Sequence, residues 1–313
     1  MIDFVNVTKK FSYRGRPIAA VSELTMTVPD GGIVALVGPN GAGKTTVLRM
    51  LTTVMKPTEG RITVQGFDTR TRAQAVRKMI GYVPQSGSVT TGSRVREELV
   101  FHGALMGMTA AKARARANDL IEKFDLREQA ERQIQHLSGG QRRRVNLALA
   151  LMHWPQVVIF DEPTVGLDPL SRAHLWESIH ALRESFGVTV VMSTHYLEEA
   201  AALADQVALI DHGTMIATDT PTKLVSRYAS DSILLEFESE AEAQRASIAL
   251  PAEYGESVRE GKRLRVTVSD AGAAAPELAT LLAAQGCTVT RLETSRGTLD
   301  DAFFALTGRN FHN

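Results

Sequence analysis

The chain of 313 residues carries 35 Lys and Arg against 35 Asp and Glu, a formal net charge of +0, and 44% of it is hydrophobic. That supports a sizeable core, enough for one large domain and a small one, and excludes wholesale disorder and any overall electrostatic bias toward nucleic acid. A single cysteine, Cys287, rules out an intrachain disulfide and a zinc site built from cysteines.

In chain order, Ile2–Val7 and Ile18–Val28 read as two short strands, alternating enough to be antiparallel. Between them Phe11-Ser12-Tyr13-Arg14-Gly15 reads as a turn with exposed aromatics. Tyr13, or failing it Phe11, either stacks on a nucleotide base, an interaction of about 1–3 kcal/mol that tolerates different bases, or covers a sheet edge. No stretch reaches the ~18–20 uninterrupted apolar residues of a membrane span. The opening Met-Ile-Asp-Phe-Val lacks the basic start and long apolar core of a signal peptide. The expectation is a cytoplasmic chain whose membrane role, if it has one, comes through a partner.

Ile33–Val37 reads as a buried strand, and Val47–Leu51 as the start of a helix. Between them runs Gly38-Pro39-Asn40-Gly41-Ala42-Gly43-Lys44-Thr45-Thr46, a phosphate-binding loop of the form G-x-x-x-x-G-K-[ST]. The chemistry accounts for the residue types. Glycine lets backbone N–H groups close around phosphate oxygens, and the helix start adds partial positive charge. Lys44 supplies a full charge for the β- and γ-phosphates, Thr45 a hydroxyl for Mg²⁺, and Thr46 a contact to the α-phosphate.

Arg61–Gln65 reads as a strand, and Gly81-Tyr82-Val83-Pro84-Gln85 as a strand and then a loop. Gln85 there either ligates Mg²⁺ or positions a water, or is an ordinary loop residue. From about 88 the material changes: Arg94–Met106 and Thr109–Phe124 have helical periodicity and many Ala, Arg and Lys, which reads as an all-helical insert with a solvated charged face. Leu137-Ser138-Gly139-Gly140-Gln141 then opens a further helix. Ser138 suits an N-cap and the glycines permit close approach, so this is a second anion-binding helix start, or else a capped turn. Val157–Phe160 is apolar and ends in Asp161-Glu162, the pattern of a central parallel strand with acids at its carboxyl end. Asp161 fits a Mg²⁺ ligand, and Glu162 the carboxylate that polarises an attacking water. After the loop Gly166-Leu167-Asp168 and a helix over about Ser171–Phe186, Thr189–Ser193 is another buried strand. It delivers His195, which there either contacts a γ-phosphate or is structural.

Taken together, these motifs resemble the ATP-binding cassette (ABC) ATPases: phosphate loop 38–46, Gln85, Leu137–Gln141, Asp161-Glu162, the Asp168 loop and His195 occur in that family's order. The resemblance covers about residues 1–225. It implies an α/β P-loop fold with a mixed sheet core, an antiparallel β subdomain and a helical subdomain over about 88–150. It also implies ATP and Mg²⁺ as cofactors, and two domains meeting head to tail. Each ATP is then held between Lys44 of one copy and Ser138 and Gly140 of the other.

Beyond Tyr228 the pattern becomes β-α-β-β-α-β, a ferredoxin-like split unit over 229–313, closed by an N-capped amphipathic helix over Thr298–Arg309 that ends at a glycine. This tail is similar to that of the daunorubicin-resistance type of exporter ATPase, and serves either as a dimer brace or as a regulator. The resemblance implies an ATPase that energises export of a drug-like or amphipathic compound. Its partners would be separate ABC-2-type membrane permease subunits and a second ATPase copy, identical or different, on the cytoplasmic face of the membrane. An importer ATPase, or a soluble cassette acting on nucleic acid or ribosomes, are the alternatives. One cassette, zero formal charge and one cysteine count against the second of these, and no nucleic-acid partner is expected.

Overall fold

The structure is a computed structural model and describes residues 1–13, 16–84, 92–251, 254 and 257–308. Gln85 therefore lies outside the described residues, as does the side chain of Tyr13. The chain divides into two compact units, Met1–Thr220 and Pro221–Asn313.

The first unit contains β1 (Ile2–Tyr13), β2 (Arg16–Val28), β3 (Ile33–Val37), α1 (Lys44–Leu51), β4 (Glu59–Val64), β5 (Phe67–Asp68), α2 (Ala73–Arg77), β6 (Ile80–Val83), α3 (Val95–Leu105), α4 (Ala110–Lys123), α5 (Gly139–Ala150), β7 (Val157–Asp161), α6 (Pro169–Phe186), β8 (Thr189–Thr194), α7 (Leu197–Leu203), β9 (Gln206–Asp211) and β10 (Thr214–Asp219). Two sheets form among the described residues: β2-β1-β4-β5, antiparallel, and β10-β9-β3-β8-β7-β6. In the second sheet β9, β3, β8, β7 and β6 run parallel, and β10 closes one edge antiparallel to β9.

Every residue of β3, β7 and β8 is buried, which is why these strands read as unbroken apolar runs: layers cover both faces. The later half of β2 instead alternates buried and exposed, one face toward solvent. Helix α1 lies where the two sheets meet, with Leu48, Met50 and Leu51 sharing a core with Phe4 and Leu24 on one side and Ile159 and Val191 on the other. Burying each such side chain stabilises the unit by roughly 1.5–3 kcal/mol. The packing thereby fixes the start of α1 against the ends of β7 and β8.

Two sequence expectations are corrected. The turn expected over Phe11–Gly15 is largely strand: β1 continues to Tyr13, and Phe11 pairs with Ile18 across the hairpin. Cross-strand pairing extends the ladder past the apolar segment that marked it. The charges of the helical insert are also not all solvated. Arg116 in α4 is 6% exposed. It donates to Asp119 at 2.6 Å and to the Leu151 carbonyl at 3.0 Å, with its guanidinium 4.8 Å from the Trp154 ring and 5.6 Å from that of Phe186. The residue anchors the insert to the ends of α5 and α6, an example of a long cation burying its stem and stacking its head.

The second unit holds α8 (Pro221–Tyr228), β11 (Asp231–Phe237), α9 (Glu240–Ala249), β12 (Ser257–Glu260), β13 (Arg263–Val268), α10 (Ala271–Ala284), β14 (Val289–Ser295) and α11 (Leu299–Thr307). Helix α8 falls in this unit, where it packs on α11. The antiparallel sheet has the order β12-β13-β11-β14. Its inward residues Ile233, Leu235, Phe237, Leu264 and Val266 meet Ala243, Ala246, Leu278 and Leu282 of α9 and α10.

Candidate nucleotide-binding and catalytic site

The loop between β3 and α1 turns back on itself at glycines. Gly43 caps α1 with φ +105°, and a Cβ there would stand 2.5 Å from the Ala20 carbonyl oxygen. Gly38 leaves no more room, since a Cβ would stand 2.1 Å from the oxygen of Ile210. The chain passes here because only glycine fits. Residues 40–46 with Ala20 and Glu162 wall a cavity of about 330 Å³.

Lys44 begins α1 and is only 4% exposed. Its Nζ donates to the carbonyls of Gly38 at 2.6 Å and Pro39 at 3.1 Å, and stands 3.5 Å from Glu162 Oε1. Burial pulls the Lys44 pKa below its ordinary value, while the negative charges of Glu162 and Asp161 oppose that shift.

Asp161 ends β7, buried, and gathers three hydroxyls. Thr45 Oγ1 donates to its Oδ1 at 3.3 Å, Ser193 Oγ to the same oxygen at 2.7 Å, and the Tyr82 phenol to Oδ2 at 3.1 Å. Burial, reinforced by the Asp161 charge, pushes the Tyr82 phenol up to about 12. Glu162 follows with φ +47°, a backbone region that costs a non-glycine residue of order 1 kcal/mol or more and clusters at functional sites. Its N–H donates to Ser193 Oγ at 3.0 Å and to the Ser193 carbonyl at 3.1 Å. Its Oε2 lies 3.3 Å from Nδ1 of His195. Lys44, Thr45, Asp161, Glu162 and His195 thus meet at the carboxyl ends of parallel strands, as expected for ligand sites in such sheets.

Ser193 and Tyr82 are partners the sequence reading missed. No local signal marks them. Ser193 faces Asp161 because β7 and β8 pair in that register.

The other sequence-named residues stand elsewhere. Ser138 caps α5 in a capping box: its Oγ accepts from the Gln141 N–H at 3.2 Å, and Gln141 Oε1 accepts from the Ser138 N–H at 3.0 Å. Leu137 is buried beneath, while Gly139 and Gly140 are exposed. Ser138, Gly140 and Gln141 line a second cavity of about 580 Å³, shared with residues of α6 from Ser171 to Ala181. Asp168 caps α6, its carboxylate accepting from the Ser171 N–H at 3.0 Å and hydroxyl at 2.6 Å, and these bonds lower its pKa. The single chain therefore does not bring Ser138 and Gly140 into the cavity of Lys44. Phe11 is exposed, with Lys9 Nζ 5.3 Å from its ring centre.

The donor set suits a polyphosphate and a hard cation. Thr45 and Asp161 offer a hydroxyl and a carboxylate oxygen beside a buried ammonium. Among the described residues no group of three His, Cys, Asp or Glu could hold a metal by itself. Mg²⁺ needs no such cage, since it keeps waters and substrate phosphates as ligands. What this geometry can do is grip a triphosphate and polarise water beside it, which defines the class: a P-loop nucleoside triphosphatase.

Comparison with known proteins makes the class specific. A family model described as ABC transporter matches residues 21–165. The chain is 38% identical over 298 residues to the daunorubicin resistance ATP-binding protein DrrA2 of Streptomyces coeruleorubidus, covering 94% of this chain and 92% of that one. It is 35% identical to the Nod factor export ATP-binding protein I of Burkholderia lata, over 100% of this chain and 98% of the other. Among solved structures, the dimeric post-hydrolysis state of the cassette MJ0796 bound to ADP and Pi aligns at TM-score 0.63 and 26% identity, covering 70% of this chain and 98% of that one. The chain belongs to the ABC transporter ATP-binding proteins of the daunorubicin-resistance type. It is an ATPase using ATP and Mg²⁺, the energising subunit of an exporter.

Proposed function

We propose that two copies of this ATPase close around two nucleotides and drive export of a drug-like or lipidic amphipathic compound through separate ABC-2-type membrane subunits. The observation that carries this reading is the separation of two phosphate-suited helix starts, α1 and α5, into different cavities of one chain. Each completes a site only with the other copy. The names of the relatives, one for daunorubicin resistance and one for Nod factor export, support export of such a compound. No described helix is long and apolar enough to cross a membrane, so the chain would attach to the cytoplasmic face through its partners.

In this reading Lys44 and N–H groups of residues 40–46 hold the phosphates, and Thr45 and Asp161 hold Mg²⁺, which when bound neutralises charge building on the phosphate oxygens. Glu162 takes the proton of the attacking water, and its short approach to His195 orients its carboxylate. Gln85 completes the metal side and Tyr13 stacks on the base. Ser138 and Gly140, with Leu137, Gly139, Gln141 and Asp168 around them, close the site of the other copy.

Sedimentation of the Glu162→Gln variant tests the pairing: MgATP should convert monomer to dimer. A variant that stays monomeric with MgATP, even beside its membrane subunits, refutes it. Transport of a fluorescent amphipathic drug into inverted vesicles tests direction; ATP-driven loss from the vesicles would make the complex an importer.

A further inference from the structure

Outside the residues given roles above, one buried group reaches both strands that supply the catalytic edge. Glu199, in α7, is 0% exposed. Its Oε2 accepts the hydroxyl of Thr164 at 3.1 Å and the hydroxyl of Thr194 at 2.5 Å. Thr164 lies just past Glu162 and Pro163, and Thr194 immediately precedes His195. The Thr194 hydroxyl in turn accepts the N–H of Tyr196 at 2.9 Å, so the chain is tied on both sides of His195. Trp176 and Arg172 of α6 face the same carboxylate, and Arg143 of α5 is drawn to it by charge.

A carboxyl group with no solvent contact is costly to bury. Packing alone would be served better by leucine. What Glu199 supplies is one acceptor atom shared by two segments that arrive from different strands, β7 and β8.

We propose that Glu199 is a positioning residue for ATP hydrolysis: through Thr164 and Thr194 it holds the backbone that carries Glu162 and His195, and so sets the 3.3 Å approach between those two side chains. The inference rests on the roles given to Glu162 and His195 above. Loosening either segment displaces the reacting groups, and a shift near 1 Å can cost on the order of 10²-fold in rate.

The test is steady-state phosphate release by the full chain across MgATP concentrations. Glu199→Ala is expected to lower kcat at least tenfold while KM for MgATP stays within about twofold, because the phosphate loop is untouched. Glu199→Gln, whose amide oxygen can accept both hydroxyls, is expected to recover kcat to within about threefold of the parent. Thr164→Val and Thr194→Val each delete one donor at nearly constant volume. Each should lower kcat severalfold, and neither should add further loss on top of Glu199→Ala. Parent-level kcat in Glu199→Ala overturns the proposal. So does a kcat loss that Gln fails to rescue and that tracks KM and melting temperature, since that is mere destabilisation. Should Glu199→Ala not fold, parent-level kcat in both threonine variants overturns it equally. Glu162→Gln is run alongside: parent-rate hydrolysis there refutes the underlying site, whereas an inert Glu162→Gln beside an unaffected Glu199→Ala refutes the Glu199 role alone.

Discussion

Replacing Lys44 by methionine separates nucleotide affinity from folding at the centre of the site. Methionine keeps most of the buried stem and deletes the ammonium. In the folded chain that ammonium donates to two carbonyls, at 2.6 and 3.1 Å, and faces Glu162 at 3.5 Å. Those contacts stabilise the loop, but they offset the cost of keeping a cation at 4% exposure, a cost visible in the downward push that burial gives the Lys44 pKa. Deleting the ammonium also leaves the nearly buried Glu162 carboxylate without that cation, so the melting temperature without nucleotide should fall by several degrees. The loss toward a triphosphate is separate from that fall. Two charge-assisted hydrogen bonds, at about 1.5–3 kcal/mol each, give a loss of about 3–6 kcal/mol, or roughly 10²–10⁴ in affinity. Titration calorimetry with MgATP, paired with a thermal melt, measures both quantities. An affinity within threefold of the parent would refute the placement of Lys44 on the phosphates. A collapsed melt would show that the ammonium is needed for the fold itself.

Glu162→Gln should bind MgATP near the parent affinity and lose about 10²–10⁴ in kcat, the range for a removed general base, measured by single-turnover phosphate release. Tyr82→Phe removes the phenol donated to buried Asp161 and should cost the first unit about 1–2 kcal/mol, read as a lower denaturant midpoint with unchanged slope; an unchanged midpoint counts against that bond. Asp231 has a pKa held below its ordinary value by the N–H groups of Ala271 and Gly297. Its folded value being the lower one, the stability it lends is full above the unfolded value of about 3.9 and is lost as pH falls through the folded value. Acid titration of unfolding should show the second unit weakening below about pH 4, and Asp231→Asn should flatten that dependence.

The legible part of the site was the part made by neighbours in sequence. A buried strand, a glycine loop that only glycine can turn, and a Lys-Thr helix start lie within 33–51, and their geometry follows from local φ and ψ and from the N–H groups of one helix end. Apolar runs ending in Asp161-Glu162 and leading to His195 also declared themselves, because strands covered on both faces must be apolar along their whole length.

What stayed hidden is what strand pairing and burial create. That Ser193 and Tyr82 bond Asp161 depends on the register of β6, β7 and β8. That β1 runs through Phe11 depends on its partner β2, and that Arg116 is a buried anchor depends on Trp154 and Phe186, far from it in sequence. The residue order alone determined which chemistry is present: a phosphate grip, hydroxyl and carboxylate donors, and a second capped helix start. Only the tertiary structure decided which of these share a cavity. It set Lys44 beside Glu162 and kept Ser138 apart from both, because distances between distant segments are set by packing and hydrogen-bond register, which no local pattern records.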